Sequence, residues 1–198
     1  MQVDDELARF TDERDALQSE VASLRKQLAA SQRLNRAIAK MTEAFRVGDM
    51  SGIAQAAFAA AQAIVVSPAA SIYLHEPEMK RLRFAYVSGS EAPFLSSEIK
   101  YIPDTQGLAG HVFQSGKIDV TTDIKNSGAF DDSIDKQTKF WTSGLVVTMP
   151  LKRLDGKTFG VFQILNGARD SFMESDMEDL NILADFLAVS FDLSGRDR

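Results

Sequence analysis

Between Gly144 and Asn166 two apolar, β-branched and aromatic runs flank Asp155-Gly156, and this stretch constrains the fold more than any other. Asp-Gly readily takes the positive φ angles of a tight hairpin turn, so the spacing predicts a two-stranded antiparallel ribbon. Both runs are apolar at nearly every position. A strand of that kind is buried on two faces, which places the ribbon in the middle of a sheet covered by helices.

Composition bounds the rest. The chain has 198 residues, 44% hydrophobic and 25% charged, with 5 prolines, enough for one good core plus an appendage and unlike a disordered sequence. A net charge of −6 argues against gripping nucleic acid or an anionic membrane, which takes clustered Lys and Arg. The absence of cysteine excludes disulfides, a thiol nucleophile, thiolate metal sites and a cofactor attached through sulfur, and fits a cytoplasmic setting. Met1 to Glu6 is acidic where a secretory leader is basic. The longest apolar run, Ile53 to Val66, is about half alanine and falls short of the roughly 20 residues a membrane span requires.

Leu7, Phe10, Leu17, Val21, Leu24 and Leu28 recur at spacings of three and four in a segment, residues 1–47, that lacks Gly and Pro. That is a long helix with a narrow apolar seam, the pattern of a coiled coil, with Arg14, Ser31 and Asn35 also on the seam; the alternative is one long amphipathic helix lying on its own domain, against which the narrowness of the seam argues. An Asn there fixes register and strand number, which predicts a parallel dimer. Acids gather in residues 1–20 and bases in residues 21–48, complementing the helix dipole on a solvated surface.

Gly48-Asp49 breaks this helix, and Ser51 or Asp49 can cap an Ala-rich second one ending before Pro68. Strand candidates follow at Ala70 to Leu74, Leu82 to Val87, Ile99 to Ile102 and, as an edge, Lys117 to Thr122, with a short helix from Leu108 to Gln114. Ser175-x-x-Glu178 has the form of a capping box opening a last helix to about Leu193. Met177, Leu180, Ala184, Leu187 and Phe191 form one apolar face of it, and Ile182, Phe186, Val189 and Leu193 another. Such a helix needs covering twice. It is therefore expected, with the helix from Leu34 to Phe45, to join the same helices of a second subunit.

An enzyme is not expected. His75 and His111 lie far apart and in no metal-ligand spacing, and phosphate loops and nucleophile elbows are lacking. Both histidines read as structural, and Trp141 reads as core rather than as a stacking platform. Asp131, Asp132 and Asp135 lack the alternation and terminal Glu of a calcium loop, so ordinary loop and cap roles are expected instead.

Leu108-Ala109-Gly110-His111-Val112-Phe113-Gln114-Ser115-Gly116-Lys117, Asp123, Phe130, Asp135-x-x-Thr138-x-Phe140-x-Thr142, Met149-Pro150-Leu151 and Gly160-Val161-x-Gln163-x-x-Asn166 together resemble the GAF domain of cyclic-nucleotide phosphodiesterases and some bacterial adenylyl cyclases. The resemblance spans about residues 48–193. It implies an α+β fold, a six-stranded antiparallel sheet with helices on both faces, and a dimeric sensor module controlling an output domain. It also implies nucleotide contacts at Leu108, Ala109, Phe130, Asp131, Asp135, Thr138, Thr142 and Gln163. In that scheme the amides of the short helix receive a cyclic phosphate, the threonine hydroxyls bond purine or ribose, and Asp135 accepts from the base. The signature Asn-Lys…Phe-x-x-x-Asp-Glu appears here as Asn166-Gly167, Phe172 and Asp176-Met177, so the Lys–Asp bridge of nucleotide-binding members cannot form, and Lys139 replaces a usual glycine.

The expected organisation is therefore a coiled-coil helix over residues 1–47, a sensor domain over 48–193 and a tail or linker to an output domain over 194–198. The expected ligand is cyclic AMP or cyclic GMP, with no metal and no covalently bound cofactor. The alternative is a ligand-free platform for dimerisation or protein docking.

Overall fold

A computed structural model of the chain describes residues 2–65, 67, 69–89, 101–122, 124, 127–135, 145–167 and 174–195. In order these form α1 (Gln2–Arg46), α2 (Met50–Val65), β1 (Ala69–Glu76), β2 (Arg81–Ser88), β3 (Tyr101–Pro103), α3 (Gly107–Ser115), β4 (Asp119–Thr121), the single turn α4 (Asp132–Asp135), β5 (Leu145–Lys152), β6 (Thr158–Gly167) and α5 (Glu174–Gly195). One six-stranded sheet runs β3-β2-β1-β6-β5-β4, antiparallel throughout. The expected architecture is observed, with β6 at its centre and β4 at an edge.

The β5–β6 hairpin forms where Asp155-Gly156 predicts it, but its turn is one residue longer than a tight two-residue loop. Gly156 N–H donates to the Arg153 carbonyl at 2.9 Å and Arg153 N–H to the Lys157 carbonyl at 2.8 Å, enclosing residues 154–156. Only Gly156 has positive φ, at 84°, the left-handed position that closes such a three-residue loop at little cost for glycine. Asp155 instead turns its carboxylate back to accept from Lys157 N–H at 3.0 Å.

Period-two alternation sends the two sides of each strand into different cores. On one side Ala70, Ile72, Val147, Met149, Phe162 and Ile164 meet Leu34, Ala37 and Met41 of α1, Ile53, Ala57 and Phe58 of α2, and Leu180, Leu183 and Leu187 of α5. On the other, α3 sets Ala109 and Val112 against Tyr73, Leu82 and Val161, and Leu108 against Ala69, Val146 and Leu165. β1, β5 and β6 are thereby buried on both faces along most of their length, while the outer strands β2, β3 and β4 are only partly covered.

α1 is continuous but divided in its surroundings. Residues 9–28 are exposed, seam included, with Leu17 61% and Leu24 55% accessible. Leu34, Ala37 and Met41 are buried against α2 and α5 of the same chain. The stretch expected to meet a second subunit from Leu34 onward thus belongs on its buried face to the domain's own core, because the Ala-rich α2 leaves room for close approach. α1 ends as Asp49 N–H reaches the Ala44 carbonyl at 2.8 Å and Gly48 N–H the Phe45 carbonyl at 3.1 Å. Asp49 then caps α2, accepting Gly52 N–H at 2.8 Å.

α5 begins at Glu174, so Ser175 lies within its first turn rather than ahead of it as a capping box requires. Its inner face is buried, whereas Ile182, Val189 and Leu193 on the second face are exposed. β3 starts at Tyr101 and includes Pro103; residues 99 and 100 lie outside the described residues. No helix among the described residues is long and apolar enough to cross a membrane.

Candidate functional site

The α3 side of the sheet carries a buried polar row. Ser71 on β1 pairs in register with Gln163 on β6, and Gln163 with Thr148 on β5, so three polar side chains lie abreast across the central strands. All are at most 1% exposed. Gln163 Nε2 donates to Thr148 Oγ1 at 3.1 Å, and the buried Tyr73 hydroxyl donates to Gln163 Oε1 at 3.1 Å. Burial pushes the Tyr73 phenol well above its ordinary range, so it stays a donor at any physiological pH. Polar groups buried this deeply are retained at a cost unless each is bonded, and here they bond one another.

The helix α3 starts above this row. Gln106, the residue before it, offers no side-chain cap. Asp135 supplies one from the end of α4: Leu108 N–H lies 3.2 Å from both Asp135 oxygens, and Asp131 N–H lies 2.8 Å from Oδ2. Gly107 makes the approach possible. Its φ is +71°, and a Cβ there would stand 2.8 Å from Asp135 Oδ1. Burial pushes the Asp135 carboxyl up to about 6, against the lowering pull of its bonds from Asp131 and Leu108. Asp131 shifts the other way, held below the usual carboxylate range first by the Ser133 hydroxyl at 2.6 Å and then by Ser133 N–H at 2.9 Å.

Of the residues expected to contact a ligand, Leu108, Asp131, Asp135 and Gln163 converge on this face as described. Ala109 is buried beside Tyr73 and Val161, and Phe130 packs half-buried near Leu108 and Ile124. The Leu108 amide, expected to receive a phosphate, is occupied by Asp135, and Asp135 accepts backbone N–H groups where a base was expected. Thr138 and Thr142 lie outside the described residues, as do Asp123, Phe140 and Trp141. Ser71, Tyr73 and Thr148 were missed. Their signal was period two: each shares the face of Gln163 in a run whose alternate positions are all apolar.

His75 sits elsewhere, its Nε2 3.0 Å from Asp104 Oδ2 and its ring 4.3 Å from that of Phe113, a structural arrangement at one end of β1. His111 is exposed. Among the described residues no three His, Asp or Glu side chains gather to hold a metal.

The model of the family described as GAF domain matches residues 48–192. The chain belongs to the GAF domain family. Solved structures share this GAF fold: free methionine-R-sulfoxide reductase from Neisseria meningitidis, in complex with its substrate, has a TM-score of 0.68 at 18% identity over 87% of this chain and 94% of that one. The A. aeolicus nlh2 GAF domain has a TM-score of 0.62 at 19% identity over 83% and 98%. Among curated proteins, the dual 3′,5′-cyclic-AMP and -GMP phosphodiesterase 11A of Takifugu rubripes is 29% identical over 100 residues, 50% of this chain. That match spans 11% of the phosphodiesterase's length. GAF domains form a family of small-molecule sensor and regulatory modules, and this chain is one by sequence and by fold.

Proposed function

We propose that this GAF domain is the non-catalytic, cytoplasmic sensing module of a signalling protein, that the α3 side of its sheet takes a purine cyclic nucleotide, and that it works as a parallel homodimer controlling an attached or partner output. The observation that carries the reading is the row Ser71, Gln163 and Thr148 with Tyr73, donors and acceptors held in fixed positions beneath the start of α3. Sites for small molecules are built this way, a largely apolar enclosure with a few placed polar groups. The cyclic nucleotide draws support from the residues shared with phosphodiesterase-type GAF domains and from the partial identity to phosphodiesterase 11A. The dimer draws support from the exposed seam of α1 and the exposed second face of α5. Thiol-based reduction is ruled out by composition, since the chain has no cysteine.

Thermal-shift and calorimetric titration with cyclic AMP and cyclic GMP test the ligand. Saturation at a hundred times the dissociation constant stabilises the native state by about 2.7 kcal/mol. Thr138→Ala is expected to weaken binding by roughly five- to two-hundred-fold, the cost of about 1–3 kcal/mol for an unpaired buried group. No heat with either nucleotide at millimolar concentration overturns this ligand.

A second reading, a ligand-free docking and dimerisation platform, is favoured by one observation: Gln163, Thr148, Tyr73 and the Leu108 amide already satisfy one another or Asp135. Unaltered thermal stability across a broad metabolite screen, with the dimer intact, supports it.

A further inference from the structure

Between α1 and α2 runs a groove of about 680 Å³. Its floor is made of small side chains, Ala37, Ala56 and Ala60, which let another helix approach closely. Its α1 wall is basic. Arg33, Arg36 and Lys40 are exposed there, on one face of the helix and about a third of a turn round from the seam of Leu17, Val21 and Leu24. The α2 wall opposite is uncharged, and the acids at the groove's other end are engaged: Asp49 accepts Gly52 N–H at 2.8 Å, and Glu43 lies 3.9 Å from Arg46 Nη1.

The chain carries the complement of this groove on α5. Glu178, Ile182, Asp185, Val189 and Leu193, spaced by three and four, fall within about 80° of one another on the helix, and all five are exposed. No Lys or Arg occurs between Glu174 and Gly195, so the face is both apolar and acidic. Glu178 and Asp185 are seven residues apart, as are Arg33 and Lys40, so opposite charges repeat at the same distance, about 10.5 Å, along the two helices. Within one chain α5 is held by its opposite face, Leu180, Leu183 and Leu187, and its acidic face cannot turn into its own groove.

We propose that the α1–α2 groove receives the second face of α5 from a second copy of this chain, with Glu178 and Asp185 set against Arg33, Arg36 and Lys40 and with Ile182 and Val189 on the alanine floor. Two-fold symmetry forms the contact twice, each copy giving its α5 and receiving the other's. The proposal rests on reading the chain as a homodimer and says what α5 meets there: the basic groove, not the α5 of the other copy. Two acidic α5 faces laid against each other would bring like charges together, whereas the groove pairs them with cations and covers the apolar residues between them.

Because the chain has no cysteine, single introduced cysteines report the contact without ambiguity. Full-length Ala59→Cys, on the α2 wall, and Val189→Cys, on α5, carry tags of different size, are mixed to exchange subunits and are oxidised. The mixture is expected to yield a disulfide-linked mixed dimer, and Val189→Cys alone is expected to stay unlinked. Sedimentation gives a second readout. Arg36→Glu with Lys40→Glu, and separately Glu178→Lys with Asp185→Lys, should each weaken self-association at least roughly tenfold by opposing like charges. Mixing these two variants should restore the wild-type affinity, since both contacts of the mixed dimer then pair opposite charges. All four positions are exposed in the single chain, so circular dichroism should show each variant folded. Linkage of Val189→Cys to itself with none to Ala59→Cys, or unchanged self-association of both charge variants, overturns the proposal and leaves the homodimer standing. A monomeric wild type overturns the two together.

Discussion

Arg153, in the turn between β5 and β6, places Nη1 2.9 Å from Oδ1 of Asp192 near the end of α5, and the Asp192 side chain is only 1% exposed. The same guanidinium stands over the ring of Phe159, 5.3 Å from its centroid. One side chain thus fastens the central hairpin to the terminal helix.

Removing Arg153 takes a guanidinium at 2.9 Å away from a buried carboxylate, whereas neutralising Asp192 leaves a half-exposed guanidinium that water can solvate. Arg153→Met is therefore expected to destabilise the fold by about 2 kcal/mol and Asp192→Asn by less. Urea unfolding of both variants checks the order. Equal losses would mean that the pair contributes by packing alone.

The seam of α1 gives a second expectation. Wild-type protein at tens of micromolar should scatter light as a dimer. Leu17→Asp combined with Leu24→Asp should give a monomer, since each places a charge in an apolar interface at a cost of several kcal/mol, on the order of 2–5 each. Both positions are exposed in the single chain, so circular dichroism should show the domain still folded.

Asp135 makes a prediction about stability that is independent of any ligand. Its folded-state value of about 6 lies above the ordinary 3.8, so between those values the native state holds more protons than the unfolded chain. Stability contributed by this group is fully present below about pH 4, falls as pH rises through 6, and is flat above. The loss amounts to about 3 kcal/mol by linkage. Subtracting the urea-derived pH profile of Asp135→Asn from that of the wild type should isolate a fall of this sign and size.

The polar row predicts non-additivity. Gln163→Leu takes the Gln163 amide from the buried Tyr73 and Thr148 hydroxyls and should destabilise by about 1–3 kcal/mol. Adding Tyr73→Phe and Thr148→Val removes the two hydroxyls that lost this partner and should recover most of that loss. A triple variant that is no better than the single one, measured by thermal unfolding, would show that the row is held by something other than these bonds.

Much of the fold was legible because its signals are local. Asp155-Gly156 between two apolar runs announces a hairpin, and the spacing from Leu7 to Leu28 announces a helix. The turn length was not legible, since Asp-Gly suits both a two-residue loop and a three-residue loop, and only the pairing of Arg153 with Lys157 decides between them. The packing of Leu34 and Met41 on their own domain was open as an alternative but not decided, because a coiled-coil seam and a core-facing stripe have nearly the same period. The site divided similarly. Gln163 and Asp135 were legible through the resemblance to the GAF domain, whereas Ser71 and Thr148 are common in strands and become a row only when three strands are laid side by side. Asp135's bond to Leu108 joins segments 27 residues apart, beyond any periodicity.

The sheet's outermost strands, β3 and β4, are three residues long, and β3 ends in Pro103, which has no N–H to extend a ladder. Among the described residues the edges therefore offer an incoming peptide little template for a seventh strand, the route by which many exposed sheets recruit partners or stack into fibres. The exposed apolar side chains of α1 and α5 lie on the helical side instead. A contact made there would form and separate by side-chain interdigitation, without the irreversible growth that an open sheet edge invites.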